Sequence, residues 1–244
     1  MGKRILIGIK AKNCAEYLDN LVVQLCNLTY PHNLITIAIV ENDSEDDTWE
    51  KLKDIHPVLK SNGFKVYLEK IDFNYKLKPE HRHLPEVQLK RLEIIGEIAQ
   101  HIIDTYMDGN DYLWWCDGDY VYFPPSMFEH LIGFDVDIVI PVCTLPDGSP
   151  YEIASEKDGL KLFQLQKLYP DTDLIEIDLA SGSTLVKREV FDAGVNHKTT
   201  KGQQEGASFS NKAKEKGFKI YASLKTIYQH AVINGTMPLE KENT

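Results

Sequence analysis

Cysteine is scarce in this 244-residue sequence: there are four, and no two are spaced as a Cys-x-x-Cys pair. A disulfide-stapled scaffold and a zinc site of paired cysteines are therefore excluded as organising features. No apolar run approaches the roughly 20 residues that a transmembrane helix needs, and no secretory leader is visible. We expect a soluble protein of the reducing cytoplasm with no membrane span and with buried, unpaired thiols.

Positive charge is also in deficit, because 27 Lys and Arg stand against 37 Asp and Glu, a formal net charge of −10. Such a surface repels phosphate backbones and anionic lipid heads, which disfavours nucleic acid as a partner. The apolar and charged fractions, 43% and 26%, are those of an ordinary globular protein. The length predicts one domain over residues 1–235, followed by a short tail over 236–244.

Hydrophobic periodicity predicts alternating strands and helices in the first third of the chain. Strands are expected over 4–9, 34–40 and 64–71, because these runs are apolar and rich in β-branched residues. Helices are expected over 17–25 and 49–59, the second capped by Ser44 or Asp46. This β-α-β-α-β order predicts parallel strands with right-handed crossovers, a Rossmann-like half.

The remaining two thirds continue the α/β pattern. A long helix is expected over 86–106 and shorter helices over 126–132 and 204–216. Further strands are expected over 111–116, 136–142, 175–179, 184–187 and 219–223, with a long excursion over 144–173. The predicted fold class is α/β, with a mostly parallel central sheet and flanking helices. Open sheets of this kind bind ligands outside the carboxyl ends of their strands, where this chain places polar clusters that include Lys10.

The Asp117-Gly118-Asp119 motif follows the apolar strand that ends at Cys116. Two carboxylates at the lip of a buried strand are hard oxygen ligands suited to Mg²⁺ or Mn²⁺. Such a cation would stabilise the charge on a leaving diphosphate. The alternative is an ordinary surface turn rich in Asp and Gly.

A second acidic cluster, Glu41-Asn42-Asp43-Ser44, follows the second predicted strand. Its carboxylate and amide groups are suited to hydrogen bonds with a ribose or a base edge. They are equally suited to closing the turn before the next helix. Asp72, which ends the third strand, is a further candidate for a base contact.

Three later residues each allow two interpretations. Arg91 has a planar donor fork for a pyrophosphate, or is a solvated helix charge. Glu205 is a general base for an acceptor hydroxyl, or a carboxylate that complements a helix dipole. His230 is a metal ligand or diphosphate contact, or a structural histidine.

The order of these features resembles the GT-A fold glycosyltransferases from residue 4 to about 230. Three segments are similar to the Anp-type mannosyltransferases of the fungal mannan polymerase. They are residues 112–119 with Pro124-Pro125-Ser126, then 137–141, and then 204–206 through 216–221 to His230.

The resemblance implies a role for each candidate. It implies that Asp119 and His230 hold the metal and that Asp117, also a candidate metal ligand, contacts the ribose or metal-bound water. Glu41, Asn42 and Asp43 are implied to contact the nucleoside, and Glu205 to lie beside the acceptor. Ser181-Gly182-Ser183 matches a small-residue wall along the donor sugar, where Gly182 allows close backbone approach; a tight turn is the alternative.

These expectations define a glycosyltransferase that uses Mn²⁺ or Mg²⁺ and a nucleoside-diphosphate sugar, with GDP- and UDP-sugars both open. Inversion with Glu205 as base is the working mechanism; in a retaining enzyme Glu205 would be a stabiliser. Fungal relatives are membrane-anchored Golgi proteins, and no anchor is visible here, so neither their compartment nor their acceptor is transferred. The acceptor stays open among glycans, lipid-linked glycans, proteins, small molecules and modified nucleic acid.

Two rivals remain. A sugar nucleotidyltransferase shares the strand-and-metal layout, but usually carries a glycine-rich loop after the first strand, where this chain has Lys10-Ala11-Lys12-Asn13-Cys14. A catalytically silent protein that binds nucleotide sugars is the second rival, and the intact acidic and histidine positions disfavour it.

Overall fold

The computed structural model describes residues 2–76, 84–151, 156–199 and 205–232. Its first part has the predicted alternation: β1 (Ile5–Ala11), α1 (Ala15–Cys26), β2 (Ile35–Glu41), α2 (Thr48–Ser61) and β3 (Lys65–Lys70). β1 pairs with β2 and β2 with β3, all in parallel. The expected β-α-β-α-β half is confirmed.

β1 and β2 are buried along their lengths because helices cover both faces of the sheet. Ile5, Ile7 and Ile9 pack in the same cluster as Leu18 of α1 and Leu52 of α2. The alternate residues of β1 and β2, such as Leu6 and Val40, face the long helix α3 (Pro85–Tyr106) on the other side. Successive strand side chains point to opposite faces, so covering both produces the continuous apolar runs seen in the sequence.

The remaining elements extend the sheet beyond β1. In chain order they are β4 (Tyr112–Asp117), β5 (Tyr120–Tyr122), α4 (Met127–Gly133), β6 (Ile138–Thr144), the hairpin of β7 (Glu156–Lys157) and β8 (Leu160–Lys161), α5 (Leu162–Leu168), β9 (Leu174–Ile177), β10 (Leu185–Lys187), α6 (Arg188–Asp192), α7 (Glu205–Glu215) and β11 (Ile220–His230). The predicted excursion over 144–173 therefore contains a short hairpin and a helix.

The sheet order is β3-β2-β1-β4-β10-β6-β11-β5, with β9 also paired to β11. The parallel pairs are the long ones, such as β1 with β2 and β6 with β11. The antiparallel pairs made by β10, β5 and β9 are shorter. The sheet is thus mostly parallel, as predicted.

Two predictions about local structure were wrong. The last strand extends to His230, well past the predicted end at residue 223, because its register shifts at an irregularity between Ser223 and Ile227 and pairing with β6 then resumes. The N-cap position of α2 is Asp47, without a side-chain cap. Asp46 instead accepts the backbone N–H of Thr48, at 3.0 Å.

No helix among the described residues is both long and apolar enough to cross a membrane. The predicted end of the domain at 235 and the tail over 236–244 lie outside the described residues, as does Gln204 at the predicted start of the last helix.

Candidate metal and donor site

The two aspartates of the Asp-Gly-Asp motif lie at the carboxyl end of the parallel strands. Asp117 is the last residue of β4 and Asp119 lies in the turn to β5. Gly118 between them packs closely on Cys14, since a Cβ at this position would lie 2.6 Å from the Cys14 Sγ. A side chain at this position would therefore displace Cys14.

Strand pairing brings His230 to these aspartates. His230 pairs with Tyr120 of β5, and the N–H of Ala231 donates to the carbonyl of Asp119 at 3.0 Å. The His230 Nε2 consequently lies 3.2 Å from Asp119 Oδ1. One ligand atom from each of Asp117, Asp119 and His230 falls within 4.8 Å of the others, so the three can share one ion.

The donor set suits a divalent cation. The Nδ1 of His230 lies 2.8 Å from the carbonyl oxygen of Ala231, which can only accept. In the neutral ring Nδ1 therefore carries the proton, and Nε2 presents its lone pair towards Asp119, as in a metal-ligating imidazole. Tyr151 stacks on the ring, with centroids 4.5 Å apart, and restricts its rotation.

Two of the residues predicted to contact the cofactor, Lys10 and Arg91, are cationic. Lys10 is mostly buried; its Nζ lies 3.7 Å from Asp117 Oδ1 and 5.0 Å from the centre of the Trp115 ring. Arg91, on α3, is half-buried and interacts electrostatically with Lys12 and Glu205. The Arg91 guanidinium is thus close enough to Lys12 and Glu205 to act on both electrostatically, and its Nη1 donates to Gln88 Oε1 at 3.4 Å.

Glu205 begins α7, and its side chain is largely buried. Burial raises the pKa of its carboxyl group, but the hydrogen bond from His197 and the positive charges of Lys10 and Arg91 outweigh burial and lower that pKa to about 2. Its Oε1 lies 2.6 Å from His197 Nδ1, and 12% of the side chain is exposed. The group is therefore a carboxylate at any physiological pH.

The acidic turn after β2 divides into a structural part and an open part. Glu41 is fully buried; its Oε1 accepts the N–H of Ser44 at 2.8 Å, and its Oε2 forms an ion pair with Lys70 at 3.4 Å. Asn42 is also buried, and its N–H donates to the carbonyl of Ala11 at 3.1 Å. The turn-closing interpretation thus accounts for much of Glu41.

Asp43 and Asp72 share a cleft at the same edge of the sheet. Asp43 has a φ of 47°, and its Oδ2 accepts the N–H of Phe73 at 3.2 Å, which holds the segment after β3 against the acidic turn. The cleft has a volume of about 270 Å³ and is lined by Asp43, Ser44, Asp72, Asn74 and Lys76. Asp43 and Asp72, both predicted to contact a nucleoside, therefore line the same cleft.

Gly182 lies beside the start of α7. Its φ of +87° is in the left-handed region, which glycine adopts most readily. This backbone conformation agrees with the tight-turn interpretation of Gly182. The same segment is in close contact with α7, because a Cβ on Gly206 would lie 2.6 Å from the Ser181 Cβ. Gly182 follows Ser181 in the chain and Glu205 precedes Gly206, so the segment with Gly182 packs against the start of α7.

Sequence reasoning missed three side chains that shape the site, Trp115, Tyr151 and His197. His197 and Tyr151 lie in irregular segments without periodicity, and Trp115 reads as one more apolar strand residue. A single histidine before Glu205 and a tyrosine in the excursion over 144–173 are too common in sequences to be informative.

The family model described as Anp1 matches residues 1–177. The chain belongs to the Anp1 family. The resemblance predicted from the sequence motifs is confirmed.

Curated relatives of this Anp1-family chain are subunits of mannan polymerase. It is 25% identical over 188 residues to the mannan polymerase II complex anp1 subunit of Schizosaccharomyces pombe, an alignment that covers 71% of this chain and 44% of that protein. It is 26% identical over 179 residues to the Saccharomyces cerevisiae ANP1 subunit, covering 66% and 36%. The chain thus spans less than half the length of these two relatives.

Solved structures show the same fold at low identity. The mannosyltransferase PcManGT from Pyrobaculum calidifontis, solved with GDP-Man and Mn²⁺, superposes with a TM-score of 0.62 at 11% identity, covering 96% of this chain and 58% of that one. S. aureus TarS 1-349 with UDP-GlcNAc has a TM-score of 0.63 at 13% identity, covering 95% and 59%. The predicted GT-A fold is confirmed.

Proposed function

We propose that this chain is a metal-dependent glycosyltransferase that moves a sugar from a nucleoside diphosphate to an acceptor hydroxyl. The observation that carries the proposal is the convergence of Asp117, Asp119 and His230 at the carboxyl edge of the sheet. Its relatives are named as mannan polymerase subunits, and its structural neighbours were solved with UDP-GlcNAc or with GDP-Man and Mn²⁺.

Asp117, Asp119 and His230 would hold the Mn²⁺ or Mg²⁺. The cation would supply charge stabilisation for the leaving diphosphate. Lys10 lies beside Asp117, and Arg91 is close enough to Glu205 to act on it electrostatically; both would add positive charge where the diphosphate is expected. Donors fixed in advance around a developing anion need no reorganisation during the reaction.

The nucleoside would occupy the cleft at the edge of β2 and β3. Asp43 and Asp72 line it and supply carboxylate acceptors for ribose hydroxyls or base N–H groups. Asn42 and Glu41 lie directly behind and hold the backbone of the turn. Gly182, next to the start of α7, would leave room for the donor sugar.

Glu205 would accept the proton of the acceptor hydroxyl in an inverting displacement. A carboxylate with so low a pKa is a weak base, since general bases work best with a pKa near the operating pH. An incoming diphosphate would neutralise part of the charge of Lys10 and Arg91, and this would raise the pKa of Glu205 when the donor is bound. In a retaining enzyme the same carboxylate would stabilise positive charge on the sugar.

The family relationship favours GDP-mannose over UDP-sugars as the donor, and the acceptor class stays open. The cytoplasmic location and the single domain over 1–235 stay predictions. The experiment is donor hydrolysis without acceptor. We expect GDP release from GDP-mannose or UDP release from a UDP-sugar to require Mn²⁺ or Mg²⁺ and to stop with EDTA.

Ligand binding provides a second, independent measurement. A ligand present at 100 times its Kd stabilises the folded state by about 2.7 kcal/mol. We expect nucleoside diphosphate and Mn²⁺ together to raise the unfolding temperature more than either alone. Binding with no turnover in any condition would indicate a silent nucleotide-sugar-binding protein, and consumption of a nucleoside triphosphate with a sugar 1-phosphate would indicate a nucleotidyltransferase.

A further inference from the structure

The imidazole of His197 is enclosed on all sides although it lies in an irregular segment. The side chain is only 4% exposed. Its ring stacks on Phe209 of α7 at 4.4 Å and meets Trp115 edge-on at 4.9 Å. Its backbone N–H donates to Gln100 Oε1 at 3.2 Å. A Cβ on Gly96 would lie 2.7 Å from the His197 carbonyl oxygen, so α3 packs directly on this segment.

The two ring nitrogens of His197 have defined roles. The Trp115 indole N–H can only donate, and it lies 3.0 Å from His197 Nε2, so Nε2 accepts. Nδ1 must then carry the proton of the neutral ring and donate it to Glu205 Oε1, at 2.6 Å. The result is a directed chain of hydrogen bonds from Trp115 through His197 to Glu205.

We propose that His197 is a positioning residue for Glu205, held in its tautomer by Trp115. This inference rests on the proposed glycosyl transfer. The bond to Oε1 sets the rotation of the carboxylate and leaves proton transfer to Oε2. Buried polar groups whose hydrogen bonds are all made rigidify their surroundings, whereas an alternative ring orientation would leave both the indole and the carboxylate without their partners.

Trp115 ties this chain of hydrogen bonds to the metal cluster. It lies on β4 two positions before Asp117, and its ring packs on Gly8, where a Cβ would be 2.6 Å away. Lys10 lies over the same ring. Glu205, held through His197 and Trp115, and Asp117, at the metal cluster, are therefore both positioned by β4. This rigid strand fixes the distance between the two carboxylates.

The first test is a set of His197 and Trp115 variants assayed by GDP-mannose hydrolysis with saturating Mn²⁺. His197→Phe keeps an aromatic ring but removes both hydrogen bonds. We expect it to lower kcat by roughly 10- to 100-fold, the cost typical of losing a supporting partner, with little change in KM. His197→Asn retains an N–H donor near the Nδ1 position and should recover most of that loss. Trp115→Phe should fall between the two.

The second test distinguishes positioning from simple structural support. If His197 acts through Glu205, adding His197→Phe to Glu205→Gln should lower kcat by less than about threefold more, because coupled residues are non-additive. Full multiplication of the two effects would overturn the proposal. The acid limb of kcat should also move to higher pH in His197→Phe, since losing an N–H donor raises the pKa of a carboxylate that still faces Lys10 and Arg91.

His101→Phe is the matched control. His101 Nε2 lies 2.6 Å from Glu69 Oε2, the same separation as in the site pair, but this pair is partly exposed and joins α3 to β3 elsewhere. We expect kcat to be unchanged in this control. Binding of Mn²⁺ with GDP should persist in every variant and shows that each is folded. If the wild-type protein neither binds nor hydrolyses a sugar nucleotide, the proposed function and this inference are both rejected. If the wild type is active and His197→Phe has the same kcat, only this inference is rejected.

Discussion

Asp119 and His230 are far apart in the sequence, yet their side chains meet because backbone pairing between β5 and β11 aligns them. Nothing in either side chain requires this meeting; the hydrogen bond from Ala231 to Asp119 does. The imidazole proton is then placed by the carbonyl of Ala231, and the ring by Tyr151. At the scale of the residue, the geometry of the candidate metal site follows from the contacts that Ala231 and Tyr151 make with Asp119 and His230.

The ligand assignment predicts the effect of removing either side chain. Asp119→Ala and His230→Ala should each lower Mn²⁺-dependent donor hydrolysis by at least about 100-fold, because even supporting partners of metal ligands cost 10- to 100-fold. Thermal unfolding should remain cooperative in both variants. Asp108→Ala, which changes an aspartate that is almost fully exposed, is the control. Full activity in either site variant would show that the three residues do not share an ion.

Gly118 predicts a loss that a second substitution repairs. Gly118→Ala places a Cβ 2.6 Å from the Cys14 Sγ and should cost about 1–3 kcal/mol of stability, as overpacking does, and weaken Mn²⁺ binding. In the double variant with Cys14→Ala the nearest atom is the residue 14 Cβ at 3.4 Å, an ordinary contact. Mn²⁺ binding, measured by calorimetry, should then recover. A double variant as impaired as Gly118→Ala would contradict this account.

The element that decides the site is β11. It pairs with β6, shifts register between Ser223 and Ile227, and resumes that pairing to Gln229, after which His230 pairs with Tyr120 of β5. Asp173 fastens the irregularity, because its Oδ1 accepts the Ser223 hydroxyl at 2.8 Å and the N–H of Lys225 at 3.0 Å. The position of His230 therefore depends on an aspartate that contacts none of the proposed ligands.

This dependence predicts a remote effect on the metal site. Asp173→Ala leaves the Lys225 N–H without its acceptor and the Ser223 hydroxyl with only the Thr226 hydroxyl as acceptor, which should lower the free energy of unfolding by about 1–3 kcal/mol. Mn²⁺ affinity should fall as well, because the strand end that carries His230 loses its fixed register. Urea unfolding and Mn²⁺ calorimetry check the two effects. Asp171→Ala, two positions earlier in the chain, serves as the control, and an unchanged Mn²⁺ affinity in Asp173→Ala would disprove the coupling.

At the scale of the whole molecule, the ionisation of Glu205 makes the free energy of unfolding depend on pH. The pKa of Glu205 is lowered in the folded state from 4.5 to about 2. A depressed carboxyl pKa stabilises the folded state fully above the unfolded value, and this contribution disappears as the pH falls from about 4.5 towards 2. The acid limb of stability therefore includes a contribution from the site itself.

Replacing Glu205 by Gln should remove that contribution. We expect Glu205→Gln to unfold at lower urea concentration than wild type at pH 7, and the difference to shrink between about pH 5 and pH 3. Glu97→Gln, on the exposed face of α3, should show no such convergence. A wild-type advantage that stays constant down to pH 3 would show that the folded carboxyl group titrates normally.

Much of the fold and part of the site could be predicted from the sequence. The apolar runs of β1, β2 and β4 predicted buried parallel strands because both their faces are covered, and Asp117 and Asp119 follow from the end of one such run. The end of β11 could not be predicted, since the polar and charged residues around 223–227 interrupt the strand pattern and only pairing with β6 shows that it continues.

The sequence by itself determined the order of strands and helices, the edge of the sheet at which polar residues collect, and the identity of the Asp-Gly-Asp motif, because hydrophobic periodicity and turn chemistry are local. Only the tertiary structure decided that His230 reaches Asp119, that Asp43 and Asp72 line one cleft, and that His197 holds Glu205 through a tautomer set by Trp115. These pairings join residues far apart in the chain, and strand register and helix packing, which no local pattern records, are what bring them together.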